Sequence, residues 1–380
     1  MVISFFIRFA KRISILANIV AAMLYLLGCY AYLFNPASFW YIGLLALTTL
    51  YFLVILIGFL ICWLFTHKKL MLISLVAIAI SWLPLQQVVQ LTIAKPFNIT
   101  KPDSIVRVMS WNVEHFDILE HKIHPERKLQ MLNLISTYSP DIACFQEMVG
   151  ADTNATAINY VPQIKADLNF LNYYYTYEVQ NDFDQKHHFG IIIFSKYKII
   201  NTQTINSNSA EPYNYNSTFQ YVDVLKNKDT IRVFNLHLQS LKLSKTNLSY
   251  INEVSTEKSI DVQASKNILA KLKTGFLKRQ LQSEQIAIEI SKSPYPVIVC
   301  GDFNDVPNSY AYHTIGQNLQ NTFAKKGYAI GRTFSGISPT LRIDNIFTSK
   351  AFEVLQYTRV KKKLSDHFPI IVDVALTKNN

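Results

Sequence analysis

Hydrophobic and polar positions divide this 380-residue chain into two unlike parts. Residues 1–94 read as three long apolar stretches, about 13–34, 39–66 and 70–92. Each is long enough to cross a hydrocarbon core, which takes ~20 residues at helical rise. Asn35-Pro36-Ala37-Ser38 makes the first break and Thr66-His67-Lys68-Lys69 the second. Trp40, Tyr41 and Trp63 stand near the span ends, where interfacial aromatics collect. The third stretch carries Pro84, Gln86, Gln87 and Gln90, polar for lipid unless they face neighbouring helices. The pattern predicts three transmembrane helices. A cleaved signal peptide fits poorly, because three spans follow one another and the first lacks a small-residue cleavage pattern.

Residues 95–103, with two prolines and polar neighbours, read as a linker. From 104 to 376 short β-type runs alternate with helical or irregular segments. Predicted strands are Ile105–Trp111, Ile142–Gln146, Tyr173–Tyr177, Gly190–Ser195, Ile231–Leu238, Val297–Cys300, Arg342–Phe347 and Ile370–Val374. Apolar residues at helical spacing mark Arg127–Thr137 and a Lys- and Gln-rich stretch from about Ile260 to Ile290. Mixed elements around one set of motifs predict a single α/β catalytic domain over 104–376. A Ser/Asn/Lys-rich insertion at 239–259 precedes the long helix. That helix carries Lys266, Lys271, Lys273, Lys278 and Arg279, a basic face open to solvent, an anionic polymer or lipid headgroups.

Charge sharpens the division. Residues 1–100 contain six Lys or Arg and no acid, leaving 31 basic against 26 acidic residues beyond them. The second part thus carries +5 of the formal +11, which permits an anionic substrate without demanding one. Arg8, Lys11 and Arg12 precede the first span, Lys68 and Lys69 occupy the second loop, and the first loop is uncharged. The positive-inside rule places the N-terminus and second loop in the cytoplasm. Three crossings put the catalytic domain outside it: a multi-pass protein of a bacterial inner membrane, with a periplasmic domain in a Gram-negative cell. Cys29, Cys62, Cys144 and Cys300 show no zinc or disulfide spacing and read as small buried hydrophobes.

Candidate chemistry gathers at the predicted strand ends. In chain order come Trp111-Asn112-Val113-Glu114, Gln146-Glu147, Asn235-Leu236-His237, Gly301-Asp302-Phe303-Asn304, Arg342-Ile343-Asp344 and Ser365-Asp366-His367. The ordered set resembles the endonuclease/exonuclease/phosphatase superfamily over roughly residues 105–375. Its members include deoxyribonuclease-I-like nucleases, abasic-site endonucleases, neutral sphingomyelinases and inositol polyphosphate 5-phosphatases. Two further stretches look most like membrane-anchored bacterial members: Arg279-Gln280-Leu281-Gln282-Ser283-Glu284-Gln285 and Asp305-Val306-Pro307-Asn308-Ser309-Tyr310. The resemblance implies a two-sheet, four-layer sandwich with its site at one end.

A phosphodiester repels nucleophiles with its anionic oxygens, and a hard divalent cation on carboxylates neutralises that charge. Glu147 is the expected primary Mg²⁺ ligand (Mn²⁺ or Ca²⁺ substituting), with Asn112 orienting it or completing the shell and Glu114 as a possible helper. Asp366 is expected to orient the site or serve a second metal. Asp302 is expected to orient or deprotonate the attacking water, and Asn304 to donate to the phosphorane oxygens. His367 is the natural phosphate contact, its ring held by Asp344. His237 is expected to help protonate the leaving oxygen. Asn235 and His188 are candidate substrate contacts; His187 and His188 read equally as a solvated loop.

Asn345 follows Asp344 where an aromatic is common in the family. There is no confident equivalent of the abasic-site endonucleases' catalytic Tyr and no clear phosphatase clamp, which weakens the DNA-repair and inositol-phosphate readings. The expected partners are a phosphodiester substrate, nucleic acid first and a phospholipid headgroup second, and the bilayer through three spans. No protein partner is inferable. The contrasting class, a non-catalytic membrane binding module, is disfavoured by the intact site set.

Overall fold

A computed structural model describes residues 2–93, 95–151, 157–177, 186–206, 218–241 and 261–377. Most of the 239–259 insertion lies outside the described residues. The apolar first part forms two helices of membrane-span length, α1 (Val2–Cys29) and α2 (Ile42–Thr66). The third predicted span is corrected. It breaks into α3 (Met71–Ile80) and α4 (Trp82–Val88), which meet at 66°.

The bend has a local cause. Pro84 has no N–H to give the Ile80 carbonyl four residues back. That carbonyl instead accepts from the Tyr30 hydroxyl at 2.7 Å, and Ser81 Oγ meets the Tyr25 hydroxyl at 2.7 Å. Ile80 therefore lies beside the last turns of α1.

The second part is a sandwich of two six-stranded mixed sheets. Sheet one holds β1 (Val106–Asn112), β2 (Ile142–Ala151), β3 (Asn172–Tyr177), β4 (His187–Ser195), β11 (Phe352–Arg359) and β12 (Ile370–Leu376), ordered β11-β12-β1-β2-β4-β3. Sheet two holds β5 (Lys198–Asn206), β6 (Thr218–Lys226), β7 (Asp229–His237), β8 (Val297–Asp302), β9 (Gln320–Asn321) and β10 (Asp344–Thr348), ordered β5-β6-β7-β8-β10-β9. Each sheet has one central parallel pair, β1 with β2 and β7 with β8. Parallel strands need both faces covered. Val108, Cys144, Val233, Ile298 and Cys300 fill the space between sheets. Outside sheet one lies α5 (Arg127–Tyr138), burying Met131, Leu132, Leu134 and Ile135. Outside sheet two lie α6 (Val262–Ser291) and α7 (Tyr310–Ile315). The order is helix, sheet, sheet, helix.

The parallel pairs matter for function. Parallel neighbours end on the same side, so Asn112, Glu147, His237 and Asp302 come to one edge of the sandwich. Antiparallel β10 brings Asp344 there by its start, opposite Asp302.

Candidate active site

Glu147 owes its aim to a bulge. Between Phe145 and Met148 the β2–β4 register slips, and Glu147 takes a left-handed φ of 52°. The extra residue breaks the alternation. Gln146 then points inward, donating to Asn235 Oδ1 at 2.7 Å, and Glu147 turns its carboxylate to the sandwich end, 32% exposed. Glu114 to Asp117 follow β1 with φ of 44–62°, a left-handed turn in four non-glycine residues. Each such residue costs ~1–2 kcal/mol. The turn brings His115 Nε2 to 3.8 Å from Glu147 and Glu114 Oε2 to the Asp366 N–H at 3.0 Å.

Asp302 stands at the centre, 1% exposed. Its Oδ2 lies 3.7 Å from both His237 Nε2 and His367 Nε2 and accepts from Asn112 Nδ2 at 3.2 Å. Its Oδ1 accepts from the Asn304 N–H at 2.8 Å. His237 Nε2 is also 3.6 Å from Glu147 Oε1, and it is buried without a hydrogen-bond partner. His367 is fixed on three sides. Its Nδ1 meets Asp344 Oδ2 at 2.8 Å, its N–H donates to Ser365 Oγ at 3.0 Å, and its carbonyl accepts from Trp111 Nε1 at 3.0 Å. Thr333 Oγ1 accepts from the Asp344 N–H at 3.1 Å, and the Phe334 ring packs 5.0 Å from His367.

The electrostatics follow from this crowding. Burial pushes the Asp302 carboxyl up to about 6; Asp344 adds to the rise, and His367 and His237 oppose it. Burial alone would lower His367, but the Asp344 and Asp302 carboxylates outweigh it and hold the ring well above its ordinary value. Burial pulls Glu147 up, but His237, His115 and Asn112 leave it below the usual range. Glu114 is pushed up to about 7, first by lost solvation and then by Asp366.

The expected site residues are placed unevenly. Asn112, Glu147, His237, Asp302, Asp344 and His367 converge. Asn112 presents its amide nitrogen to Glu147 at 3.1 Å, since its Oδ1 is taken by the Glu114 N–H at 3.2 Å; this is the orienting geometry, not the ligating one. Asp366 lies at the open rim, its side chain 45% exposed and Oδ1 3.9 Å from His367 Nε2. Asn304 gives its side-chain amide to the Leu238 carbonyl at 3.0 Å. Asn235 is fully buried, donating to the Phe145 and Ile192 carbonyls and accepting from Gln146. It ties the two sheets together and turns no donor to the site. His188 lies in β4 opposite Gly150, stacked 4.3 Å from Tyr177. His115 and Phe334 were not expected, and Trp111 was noted only as part of the Trp111-Asn112-Val113-Glu114 string. Only the contiguity of His115 with Asn112-Val113-Glu114 signalled it.

The donors suit a hard divalent cation. Glu147, Asp366 and Glu114 crowd one side, and Glu114 is raised first by burial and then by the charges of Asp366 and Glu147. Asp302, Asp344 and His367 also hold one ligand atom each within 4.8 Å of one another, and the Asp344–His367 hydrogen bond uses Oδ2 and Nδ1 of that pair.

The profile of the Endonuclease/Exonuclease/phosphatase family matches residues 109–367. The chain belongs to the endonuclease/exonuclease/phosphatase family. A profile for a domain of unknown function matches residues 11–88. No curated protein matches the chain. Among solved structures, the family protein of Beutenbergia cavernae DSM 12333 superposes with TM-score 0.50 at 17% identity, over 72% of each chain. That of Leptotrichia buccalis C-1013-b gives 0.50 and 17%, over 71% of this chain and 100% of its own. The Bacteroides vulgatus protein gives 0.50 and 16%, over 72% and 99%. At such identities the likeness speaks for the family fold.

Proposed function

We propose that this chain is a membrane-anchored, Mg²⁺-dependent phosphoester hydrolase in which water attacks phosphorus in line. The observation that carries the reading is Asp302 Oδ2, buried and 3.7 Å from both His237 and His367. It is a base beside two imidazoles, at the edge where Glu147 stands. Asp302 takes one proton from the attacking water as the water oxygen bonds to phosphorus. The P–O bond to the leaving oxygen breaks, and His237 returns a proton to that oxygen. His367, kept cationic by Asp344, holds a phosphoryl oxygen. Glu147, with Asp366 at the rim, would hold a divalent cation, which would supply charge neutralisation of the phosphoryl oxygens. Asn112 keeps Glu147 and Asp302 in place.

The way the catalytic domain meets the N-terminal helices supports the expected orientation. The catalytic domain rests on the first-loop end of the helices: Asn35 meets Tyr310, Tyr32 stacks on His313 at 3.7 Å, and Lys273 lies over Trp40. Arg8, Lys11, Arg12, Lys68 and Lys69 mark the opposite end, so an extracytoplasmic, periplasmic domain agrees with the positive-inside rule. Among substrates, the family resemblance brings nucleic acid forward. The contacts described in the next subsection favour a lipid headgroup.

The test uses the full chain in detergent, bis(p-nitrophenyl) phosphate as a neutral reporter of diester cleavage, and supercoiled plasmid alongside. Turnover with Mg²⁺ that stops with EDTA, and stops in Glu147→Ala, Asp302→Ala and His367→Ala, is the expected result. Full activity retained in all three variants sinks the reading.

A further inference from the structure

Three short chain paths join the catalytic residues to the membrane helices. From Asn304 the chain runs four residues to Asn308, whose amide donates to the Gly28 carbonyl at 2.7 Å, the Ala46 carbonyl at 3.2 Å and Thr49 Oγ1 at 2.8 Å. Immediately before Asp344, Leu341 packs with Ala31, Ile42 and Ala46, and the Arg342 guanidinium donates to the Gln87 carbonyl of α4. Phe334, against His367, leads four residues on to Ser338, which meets the Tyr51 hydroxyl of α2 at 2.9 Å. Four extended residues reach at most ~14 Å. The catalytic centre therefore sits within one such reach of the helices on three sides.

The depth of those contacts can be worked out. They reach along α2 as far as Tyr51, and the helix remaining, Phe52–Thr66, is roughly 22 Å long at 1.5 Å per residue. A hydrocarbon core is ~30 Å thick. With Thr66 at the far boundary, the near boundary falls near Ala46, about 20 residues back, so the loops touching Ala46, Thr49 and Tyr51 reach through the headgroup layer to the edge of the hydrocarbon. The bent pair turns below that boundary: α3, 10 residues, gives roughly 15 Å before the chain bends at Ser81. Past the turn, Leu83, Leu91 and Ile93 are 74%, 78% and 88% exposed, apolar surface suited to an interfacial position. An apolar cavity of about 420 Å³, lined by Leu53, Ile57, Ile78, Trp82 and Leu85 among others, opens at the same bend and has room for part of an acyl chain.

We propose that the catalytic mouth is held at headgroup depth and that the substrate is the phosphodiester of a membrane lipid headgroup. This rests on the phosphoester-hydrolase reading and names its substrate class. A soluble polymer meets a mouth half-shielded by the bilayer, whereas a lipid presents its phosphorus there already.

The full chain is reconstituted in vesicles of phosphatidylethanolamine and phosphatidylglycerol with Mg²⁺, with His367→Ala as control. Lipid loss is followed by ³¹P NMR. Glycerophosphoglycerol (the same diester without chains), supercoiled plasmid and bis(p-nitrophenyl) phosphate run in parallel. A bimane on Pro339→Cys, beside Ser338, reports depth by quenching from headgroup-nitroxide lipid; Cys62, the exposed native thiol, is changed to Ser. Lipid cleavage by the wild type alone, at least tenfold faster than glycerophosphoglycerol, with bimane quenching, is expected. Cleavage of reporter or plasmid with intact lipid overturns the inference and leaves the hydrolase reading standing. Unquenched bimane overturns the depth argument, and no cleavage of any diester overturns both.

Discussion

Replacing Asp344 by Asn keeps the shape of the side chain and removes its charge. In the native site Asp344 Oδ2 holds His367 Nδ1 at 2.8 Å, both groups almost fully buried, while Asp344 Oδ1 is buried without a partner. An Asn must turn its oxygen to the imidazole N–H, which puts its NH₂ at that unpartnered position. An unsatisfied buried donor costs ~1–3 kcal/mol, and the lost charge assistance takes ~1.5–3 kcal/mol from the imidazolium. The first falls on folding stability. The second falls on any state that needs His367 cationic, and at ~1.4 kcal/mol per tenfold it corresponds to a kcat lower by roughly 10- to 150-fold. Trp111 and Ser365 still hold the His367 backbone, so the ring should lose charge more than place. The assay is kcat on bis(p-nitrophenyl) phosphate at saturating Mg²⁺, with circular dichroism to show that the variant is folded. A folded D344N within threefold of wild type, with an unchanged pH profile, would refute the assignment of His367 as the charged phosphate contact.

Three further outcomes are expected. Asp302 acts as a base only when ionised, and its carboxyl is pushed up to about 6, so kcat/KM should fall as pH drops through that value; a flat profile to pH 5 contradicts the assignment. Arg107 is buried and donates to both oxygens of Asp373 at 2.7 and 2.8 Å and to the carbonyls of Ile99, Asn98 and Tyr138. Arg107→Met strands a buried carboxylate and should cost ~3–5 kcal/mol, read as a lower Tm with KM unchanged. A Cβ at Gly28 would meet the Leu45 carbonyl and Thr49 Oγ1 at 2.6 Å, whereas at Gly58 it meets nothing within 4 Å. Gly28→Val should therefore destabilise the helix pair and the seat of Asn308 by ~1–3 kcal/mol, seen in detergent melting, and Gly58→Val should not.

What was legible in the sequence depended on how each residue is used. The central strands showed because both faces are buried and read as continuous apolar runs. The flanking β6 escaped because it mixes in charge. Asp223 and Arg232 are cross-strand partners of β6 and β7, ion-paired at 2.7 Å with the guanidinium over Tyr221, so a strand pair is stabilised by residues that look like loop. β11 alternates only over Phe352, Glu353 and Val354 before a bulge breaks the pattern. The third span failed on geometry, since composition counts apolar residues and does not show where a proline leaves a carbonyl for a tyrosine to take. Asn235 was noticed for its place beside His237, yet period-2 alternation sends neighbouring strand residues to opposite faces. His237 goes to the site and the Asn235 amide goes between the sheets.

The two stretches that looked like membrane-anchored relatives have a physical account that neither reveals alone. Arg279 of the first ion-pairs with Asp305 of the second at 3.0 Å, and Glu284 accepts from the Tyr310 hydroxyl at 2.8 Å. Arg279 also donates to the Gln239 carbonyl, and Gln282 accepts from the Gln239 N–H, two residues past His237. Around this clasp, Phe276 meets Gly43, where a Cβ would come to 2.8 Å of its ring, and Val306 and Asn308 reach the helices directly. Part of the basic face of α6 is thus taken up by packing: Arg279 is 1% exposed and Lys273 lies over Trp40 of the N-terminal part. The residues after Asp302 and Asn304 have two duties, to carry the catalytic loop and to grip the helices. Residues 98–380 cut free would keep the sandwich core, but the Asn308 amide and the Arg342 guanidinium would each lose partners that the N-terminal helices supply. The N-terminal helices are therefore part of the support of the catalytic end.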